Sequence, residues 1–365
     1  MPALADHRNA RPFLRRRGCP FEYSSTMPQI ELDSSLTREE RQGFKFPLGV
    51  TPVEPVTPRP GYVLEFEPAD GGEPFEGAEP TPSEVWEEWP DRFMFDILVS
   101  HERLGALARS LLSLLPGRIY PILDVLGNDS FREVDPYIAY DQVGFERFMD
   151  GLIQLGPWLF EDGLVGFGAM SLDPFFYVFV DEHKAITVRT EMSLKERVQK
   201  LLAAFDLKET REIAGADSVA HEHRCVLKPP AEDGAGLHAE EIVEQLRDRW
   251  ALQLNVDTRT NVDDGGRELG ITAWRCVMRC TPDAKDAQPV YAEVFLAADC
   301  LDTAERLLAD VAAQRAGDSD WADVVPVLAD RCTPETAAAM AEMKEPPTLD
   351  VNRVIAVRWF EGETA

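Results

Sequence analysis

The chain has 365 residues, 44% of them hydrophobic, and carries a formal net charge of −28 at pH 7. This length allows two folded domains plus flexible segments. A surface this acidic repels nucleic-acid phosphates and anionic lipids, which argues against nucleic-acid and membrane partners. No apolar run approaches the roughly 18 residues of a membrane-spanning helix, and six cysteines without a Cys-x-x-Cys pair indicate reduced thiols in a cytoplasmic protein.

Residues 1–90 are predicted to form a flexible N-terminal segment. Residues 1–26 are rich in arginine and are interpreted as a flexible or spurious extension, with translation beginning at Met27; an Arg-rich transit peptide is the alternative. Residues 47–90 are dominated by proline, which removes backbone donors, and by acidic residues, which repel one another, so a disordered arm is expected. The aromatic side chains of this arm suggest docking onto the folded body or onto a protein partner.

A first α+β module is predicted over residues 91–214. Apolar residues at helical spacing predict helices over 95–117 and 145–157, and β-rich stretches predict three consecutive strands over 163–172, 175–180 and 185–191. The polar turn Asp181–Lys184 is expected to join the last two strands as a hairpin. Ser193 and Glu196 have the spacing of a capping box in front of a helix over 194–205.

A second α+β module is predicted over residues 217–365, and it opens with a strand over 217–228. A loop rich in proline, glycine and acid follows at 229–236. The remaining elements are expected in this order: a helix over 240–250, strands over 252–260, 267–280 and 290–298, a helix over 301–314 and a strand over 354–360.

Residues 185–205 and 291–311 align without gaps, each as a strand that leads into a capped amphipathic helix. Either a duplicated module or the shared physics of strand–helix units accounts for this similarity. The sequence therefore predicts an α+β fold with two consecutive modules. Each module is expected to have a mostly antiparallel sheet flanked by helices, and the disordered acidic Pro-rich arm precedes them.

Several familiar motifs are absent or fail on inspection. There is no P-loop, no Gly-x-Ser-x-Gly elbow and no His-Glu-x-x-His zinc motif. Residues 257–268 resemble a calcium loop, but Arg259 stands at an oxygen-ligand position and Val262 at the glycine position, so we predict a turn over 261–266 instead. The acidic loop 128–135 is of a kind that binds cations, yet a chain with 65 acidic residues produces such clusters by chance.

Cys276 and Cys280 lie on one face of a predicted strand, so both thiols are expected to point into the core. Four residues of strand span about 13 Å. That distance is too great for two thiolates that share one zinc ion at about 2.3 Å. A structural role is therefore the preferred interpretation of this pair.

His221, His223 and Cys225 are expected to share the inward face of the strand over 217–228. The Cα atoms of the two histidines would lie about 6.6 Å apart, a separation that two ligands of one metal ion can have. Cys225 would lie too far from His221 to complete the same shell. A third ligand must come from elsewhere, and the candidates are His183, Cys276 or an acidic residue. The alternative is a pair of partly buried histidines that are hydrogen-bonded to their neighbours.

Three functions remain open at this point. The acidic Pro-rich arm and the lack of a catalytic constellation favour a non-catalytic interaction or scaffold protein without a cofactor. The first alternative is a metal-binding protein or metal-dependent enzyme that uses His221 and His223, with a divalent transition metal such as zinc as its cofactor. The second alternative is a small-molecule or peptide-binding module. No catalytic residue is predicted.

Overall fold

The computed structural model describes residues 30–69, 90–228, 239–283, 288–316 and 321–361. The predicted extension 1–26 and residues 70–89 of the arm lie outside the described residues. The strands are β1 Glu40–Arg41, β2 Phe44–Lys45, β3 Val50–Pro52, β4 Gly61–Glu67, β5 Arg92–Leu98, β6 Arg118–Leu126, β7 Val134–Ala139, β8 Val143–Gly144, β9 Val165–Leu172, β10 Phe175–Val180, β11 Ile186–Thr190, β12 His221–His223, β13 Leu252–Leu254, β14 Thr272–Pro282, β15 Val290–Ala298, β16 Trp321–Cys332 and β17 Arg353–Glu361. The helices are α1 His101–Leu112, α2 Phe145–Leu159, α3 Lys195–Ala204, α4 Ala239–Trp250, α5 Leu301–Ala316 and α6 Pro334–Met340. Helices packed with mostly antiparallel sheets confirm the predicted α+β fold class.

The chain forms two compact units. The first comprises Met27–Val125 and Pro136–Asn255, and the second comprises Leu126–Asp135 and Val256–Ala365, as far as these ranges are described. β12, which was expected to open the second module, belongs to the first unit. The domain boundaries stay predictions, because compact packing alone does not show which parts fold independently.

The first unit is built on a nine-stranded sheet with the order β13-β7-β6-β9-β10-β11-β5-β4, in which β8 pairs with β6. All six residues of β10, the apolar run "FFYVFV", are buried, as expected of a strand that is covered on both faces. One face packs against apolar stripes of α1 and α2, where Leu107, Leu111 and Leu152 lie in the main core. The β10–β11 hairpin places the turn Asp181–Lys184 at one end of this sheet, as predicted.

Part of the stretch that was expected to be disordered is paired in sheets. β4 forms the edge of the nine-stranded sheet beside β5, and β3 pairs with β12. These two strands are ordered because Val50 and Tyr62 bury their side chains, at 0% and 7% exposure. The expectation of disorder gave too much weight to proline and acid content and too little to these apolar residues.

Two local predictions in the first unit are wrong. The helix expected from residue 95 begins only at His101, because Phe93, Phe95 and Ile97 bury their side chains at alternate positions of β5. The capping box is not formed: the N-cap of α3 is Leu194, and the Ser193 hydroxyl instead bonds the Glu191 carboxylate.

The second unit contains a four-stranded antiparallel sheet with the order β16-β14-β15-β17. Helix α5 contacts β14, β15 and β16, and helix α6 contacts β14. Cys276 and Cys280 of β14 are both fully buried, which confirms the prediction that their thiols point into a core. None of the helices described in either unit is long and apolar enough to cross a membrane.

Candidate metal centre

Three histidine side chains from two segments of the first unit converge on one point. His183 lies in the turn between β10 and β11, and His221 and His223 lie on β12. The Nε2 atom of His221 is 2.9 Å from that of His183 and 3.0 Å from that of His223. The ring centroids are separated by 4.7, 4.7 and 4.8 Å, and the rings cross at 71–75°. This arrangement is close to three-fold symmetric about the point that the Nε2 atoms face.

The turn that carries His183 is held by its own hydrogen bonds. The Asp181 amide donates to the Ala185 carbonyl, and the Asp181 carboxylate accepts from the Ala185 amide. Lys184 has a left-handed backbone with φ of 67°, and its buried ammonium donates to the backbone carbonyls of Val165 and Asp181. Burial lowers the pKa of Lys184. The lysine therefore joins the turn to the start of β9.

The strand that carries His221 and His223 is held by a short ladder with β3. His221 pairs with Pro52 and His223 with Val50 in antiparallel register. Because alternate residues of a strand point to the same side, both imidazoles leave β12 on one face. The side chain of Val50 on β3 is fully buried, so this short ladder is anchored in a core at the position opposite His223.

A close backbone approach holds the ladder against the segment that precedes β9. The Arg224 amide donates to the Gly49 carbonyl at 2.9 Å, and the Gly163 amide donates to the Arg224 carbonyl at 3.2 Å. A Cβ atom on Gly163 would lie 2.0 Å from the Gly49 carbonyl oxygen, and one on Gly49 would lie 2.0 Å from the Gly163 nitrogen. Only glycine fits at both positions. This close packing fixes the position of Gly163, whose carbonyl accepts from Nδ1 of His223.

Each imidazole directs its Nδ1 atom at an oxygen acceptor. Nδ1 of His221 bonds the Val219 carbonyl at 2.7 Å, and Nδ1 of His223 bonds the Gly163 carbonyl at 2.5 Å. Nδ1 of His183 lies 3.2 Å from the Glu182 carboxylate. A carbonyl oxygen only accepts, so His221 and His223 must each carry a proton on Nδ1. In its neutral form, each of these two rings therefore presents a bare lone pair on Nε2.

Lone pairs that face each other at 3.0 Å repel unless a cation lies between them. A protonated His183 would donate from Nε2 to His221 and would leave the contact between His221 and His223 without a hydrogen atom. A metal ion instead satisfies all three nitrogens at once. Ligand nitrogens at about 2.0–2.1 Å from one ion lie about 2.9 Å apart for right angles and about 3.3 Å apart for tetrahedral angles. The observed separations fall at the lower end of this range.

The surrounding charges act differently on the three groups of this turn and strand. Burial lowers the pKa of His223. Burial also acts to lower the pKa of His183, but the hydrogen bond that His183 donates to Glu182 and the charge of Asp181 outweigh it, so that this pKa is raised. For Glu182, the penalty of burial is outweighed by the hydrogen bond from His183, and the pKa falls to about 2. Glu182 is therefore an ionised acceptor behind the ring of His183.

Of the candidates for the third ligand, the structure places His183 beside the predicted pair His221 and His223. Cys276 lies instead within the sheet of the second unit. Cys225 is exposed and not inward as predicted, because the chain leaves the extended ladder at Arg224 and buries Val226 instead.

The sequence did not indicate the oxygen acceptors behind the rings. Glu182 precedes a histidine in a polar turn, which is a readable signal, since a carboxylate often supports a ligating histidine. The carbonyls of Gly163 and Val219 carry no signal of their own. The glycines at 49 and 163 were the indirect clue, because a backbone that passes within hydrogen-bonding distance of another often requires glycine.

The acidic loop 128–135 has a structural role in the second unit. The Asp129 carboxylate accepts hydrogen bonds from Nε of Arg331, at 2.9 and 3.1 Å from its two oxygens, and from the Arg331 amide at 2.9 Å. Asp135 accepts from Arg132 at 2.5 Å. Asp129 and Asp135 are therefore paired with arginine, and neither belongs to a group of described residues with metal-binding geometry.

Asp330 lies in the same region with 4% exposure, and its Oδ2 atom has no hydrogen-bond partner among the described residues. Burial and the charges of Asp135 and Asp129 raise its pKa to about 7, from an ordinary value of 3.8. The folded state therefore retains a proton that the unfolded chain releases. As a result, the stability that Asp330 contributes falls as the pH rises from about 4 to about 7 and is fully lost above that pH.

Asp330→Asn is expected to stabilise the protein at pH 8 and to have little effect at pH 4, because asparagine keeps the shape of the protonated side chain and does not ionise. We expect a gain of roughly 2 kcal/mol at pH 8, about half of the full value of the pKa shift, since the amide also lacks a partner. Urea unfolding of wild type and variant at both pH values measures this difference. A variant whose advantage is the same at pH 4 and pH 8 would contradict the assignment.

Comparison with known proteins adds no relative to this picture: the chain matches no protein-family model, no curated protein sequence and no solved structure. The geometry of the three histidines is therefore the feature from which a function is inferred.

Proposed function

We propose that the chain is a transition-metal-binding protein in which Nε2 of His183, His221 and His223 ligate one divalent ion. The observation that carries this proposal is the convergence of three Nε2 lone pairs, with every Nδ1 atom held by an oxygen acceptor. In metal proteins the acceptor behind a ligating imidazole fixes the tautomer and the orientation of the ring. Neutral rings that are protonated on Nδ1 have no donor among their three Nε2 atoms, whereas one metal ion accepts all three lone pairs.

Three neutral imidazoles select the class of ion. Imidazole nitrogen suits zinc, copper, nickel, cobalt and iron, whereas magnesium and calcium require oxygen ligands. Zinc is the ion of first choice, because three histidines at about 2.0–2.1 Å are a known zinc ligand set. The net charge of −28 also attracts a cation to the protein.

The scaffold hypothesis stays a prediction. It depended on the acidic Pro-rich arm, and residues 70–89 of that arm lie outside the described residues. Within the described residues, the histidine cluster is the feature with a specific chemical requirement. Metal binding therefore replaces the scaffold role as the function that we propose.

Wild-type protein that is expressed without a histidine tag is expected to bind one zinc ion per chain. Each of His183→Ala, His221→Ala and His223→Ala should weaken this binding by more than about 100-fold, because loss of a ligand exceeds the 10–100-fold effect typical of outer partners. Elemental analysis after gel filtration measures the stoichiometry. Competition with a chromophoric chelator measures the affinity.

His101→Ala is the matched control, because the His101 imidazole bonds the Glu161 carboxylate at 2.8 Å and takes no part in the cluster. This variant should bind zinc as tightly as wild type. Two results would overturn the proposal. One is wild-type protein without stoichiometric binding of zinc, copper, nickel, cobalt or iron. The other is a set of histidine variants that bind no more weakly than the control.

A further inference from the structure

The number of protein ligands at this centre sets what the ion can do. Structural zinc sites have four protein ligands, whereas catalytic sites have three and bind water at the fourth position. Among the described residues, His183, His221 and His223 form a group of three with no fourth histidine, cysteine or carboxylate within 4.8 Å of all their ligand atoms. The centre therefore has the ligand number of a catalytic site.

We propose, on the basis of the proposed metal function, that the fourth coordination position holds an exchangeable water and that the centre hydrolyses small uncharged esters or related carbonyl compounds. Two observations support this activity besides the ligand number. One is the partial exposure of the ligating rings, and the other is the charge of the groups around them.

The neighbouring side chains are placed so that none of them occupies the fourth position. The Glu182 and Asp181 carboxylates lie 3.2 and 3.9 Å from Nδ1 of His183, on the side of the ring that faces away from the other histidines. Cys225 is exposed and does not belong to the group of three histidines. Among the described residues, these two carboxylates are therefore directed away from the point that the Nε2 atoms face.

The cluster is only partly shielded from solvent. All three histidines are only partly buried, and the side chain of His183 is 19% exposed. A closed structural zinc site is normally shielded by four protein ligands and their packing. A half-buried set of three leaves one side of the ion accessible, which a metal-bound nucleophile requires.

The charge around the site selects the substrate. Glu182 and Asp181 lie beside His183, and the whole chain carries −28. The two carboxylates offset the two positive charges of the ion, and the remaining negative charge of the chain disfavours anionic substrates such as phosphate esters. An uncharged carbonyl compound approaches without that penalty, and its carbonyl oxygen is polarised by the ion.

The chemical step is a hydrolysis that needs water alone as co-reactant. The bound water loses a proton to solvent, and the resulting hydroxide attacks the carbonyl carbon and forms the new C–O bond. The bond to the alcohol then breaks, and the leaving alkoxide takes a proton from solvent. The products are one acid and one alcohol, and no electron is transferred to an outside acceptor.

The test begins with full-length protein loaded with Co²⁺, freed of excess metal and titrated with imidazole, a neutral ligand. Binding at an exchangeable fourth position should shift the visible absorption of the cobalt while the cobalt content stays constant. Zinc-loaded protein is then assayed with methyl 4-acetoxybenzoate, which is neutral, and with 4-acetoxybenzoate, whose anionic para carboxylate cannot reach its own acetate ester. We expect zinc-dependent hydrolysis of the neutral ester, slower hydrolysis of the anionic ester, and loss of the zinc-dependent rate in His223→Ala but not in His101→Ala.

The outcomes separate this inference from the metal function. Protein that binds metal but whose cobalt spectrum does not respond to imidazole has a fourth protein ligand, which overturns the inference and leaves the proposed function intact. A spectral shift without zinc-dependent hydrolysis overturns the hydrolytic activity. Equal rates for the two esters overturn the selection by charge. Failure to bind metal at all overturns the proposed function itself.

Discussion

Gly163→Ala is expected to lower the free energy of unfolding by about 4 kcal/mol or more, and to weaken zinc binding with it. The new Cβ atom would lie 2.0 Å from the Gly49 carbonyl oxygen and 2.7 Å from the Gly49 carbonyl carbon. Both contacts are with backbone, so no side-chain rotation relieves them, and the effect should exceed the 1–3 kcal/mol typical of an overpacked core. Urea unfolding of the metal-free protein measures the stability.

The matched control is Gly117→Ala, because a Cβ atom on Gly117 meets nothing within 4 Å. This variant should remain within about 0.5 kcal/mol of wild type, as most surface substitutions do. The affinity of Gly163→Ala for zinc links the backbone contact to the site, since the Gly163 carbonyl orients the imidazole of His223. A Gly163→Ala variant as stable as the control would contradict the close backbone contact between Gly49 and Gly163.

The secondary structure was predictable in segments where the apolar residues follow one consistent pattern. The strands at 163–172 and 175–180 and the helix over 145–157 match β9, β10 and α2, because continuous apolar runs and helical stripes have one consistent interpretation. β6 and β16 were not predicted. Pro121 interrupts the first and Pro326 the second, so neither shows the uninterrupted pattern of a buried strand.

The site was predictable only in part, for a related reason. Alternation along a strand is a local property, so it placed His221 and His223 on one face without any knowledge of the fold. The choice of His183 over Cys276 or an acidic residue depends on a contact between segments about 40 residues apart. That contact is made by the ladder with Val50–Pro52 and by the paired glycines, whose distances the sequence alone does not contain.

Arg331→Met is expected to destabilise the protein by about 3–5 kcal/mol. The Asp129 side chain is fully buried. Its two oxygens share the Nε–H of Arg331, and Oδ2 also accepts from the Arg331 amide. The same guanidinium donates to the Asn261 side chain at 3.0 Å and to the Val262 carbonyl at 2.6 Å. Methionine has a similar length and removes the cation that directly contacts the buried carboxylate, so that only Arg132, at 3.8 Å, remains as a counter-charge. Removal of one partner of a buried ion pair costs this much. Chemical denaturation at pH 7 measures the loss.

A double variant tests whether the loss comes from the uncompensated charge. Asp129→Asn in the Arg331→Met background removes the buried carboxylate, so it should recover at least about half of the lost stability. Asp129→Asn alone should cost less than Arg331→Met, because a buried guanidinium keeps the Asn261 and Val262 oxygens as partners. If the double variant is as unstable as the sum of the two single variants, the two side chains contribute independently. The stability of this region would then come from the packing of Arg331 against Trp274 and Phe131 and not from its charge.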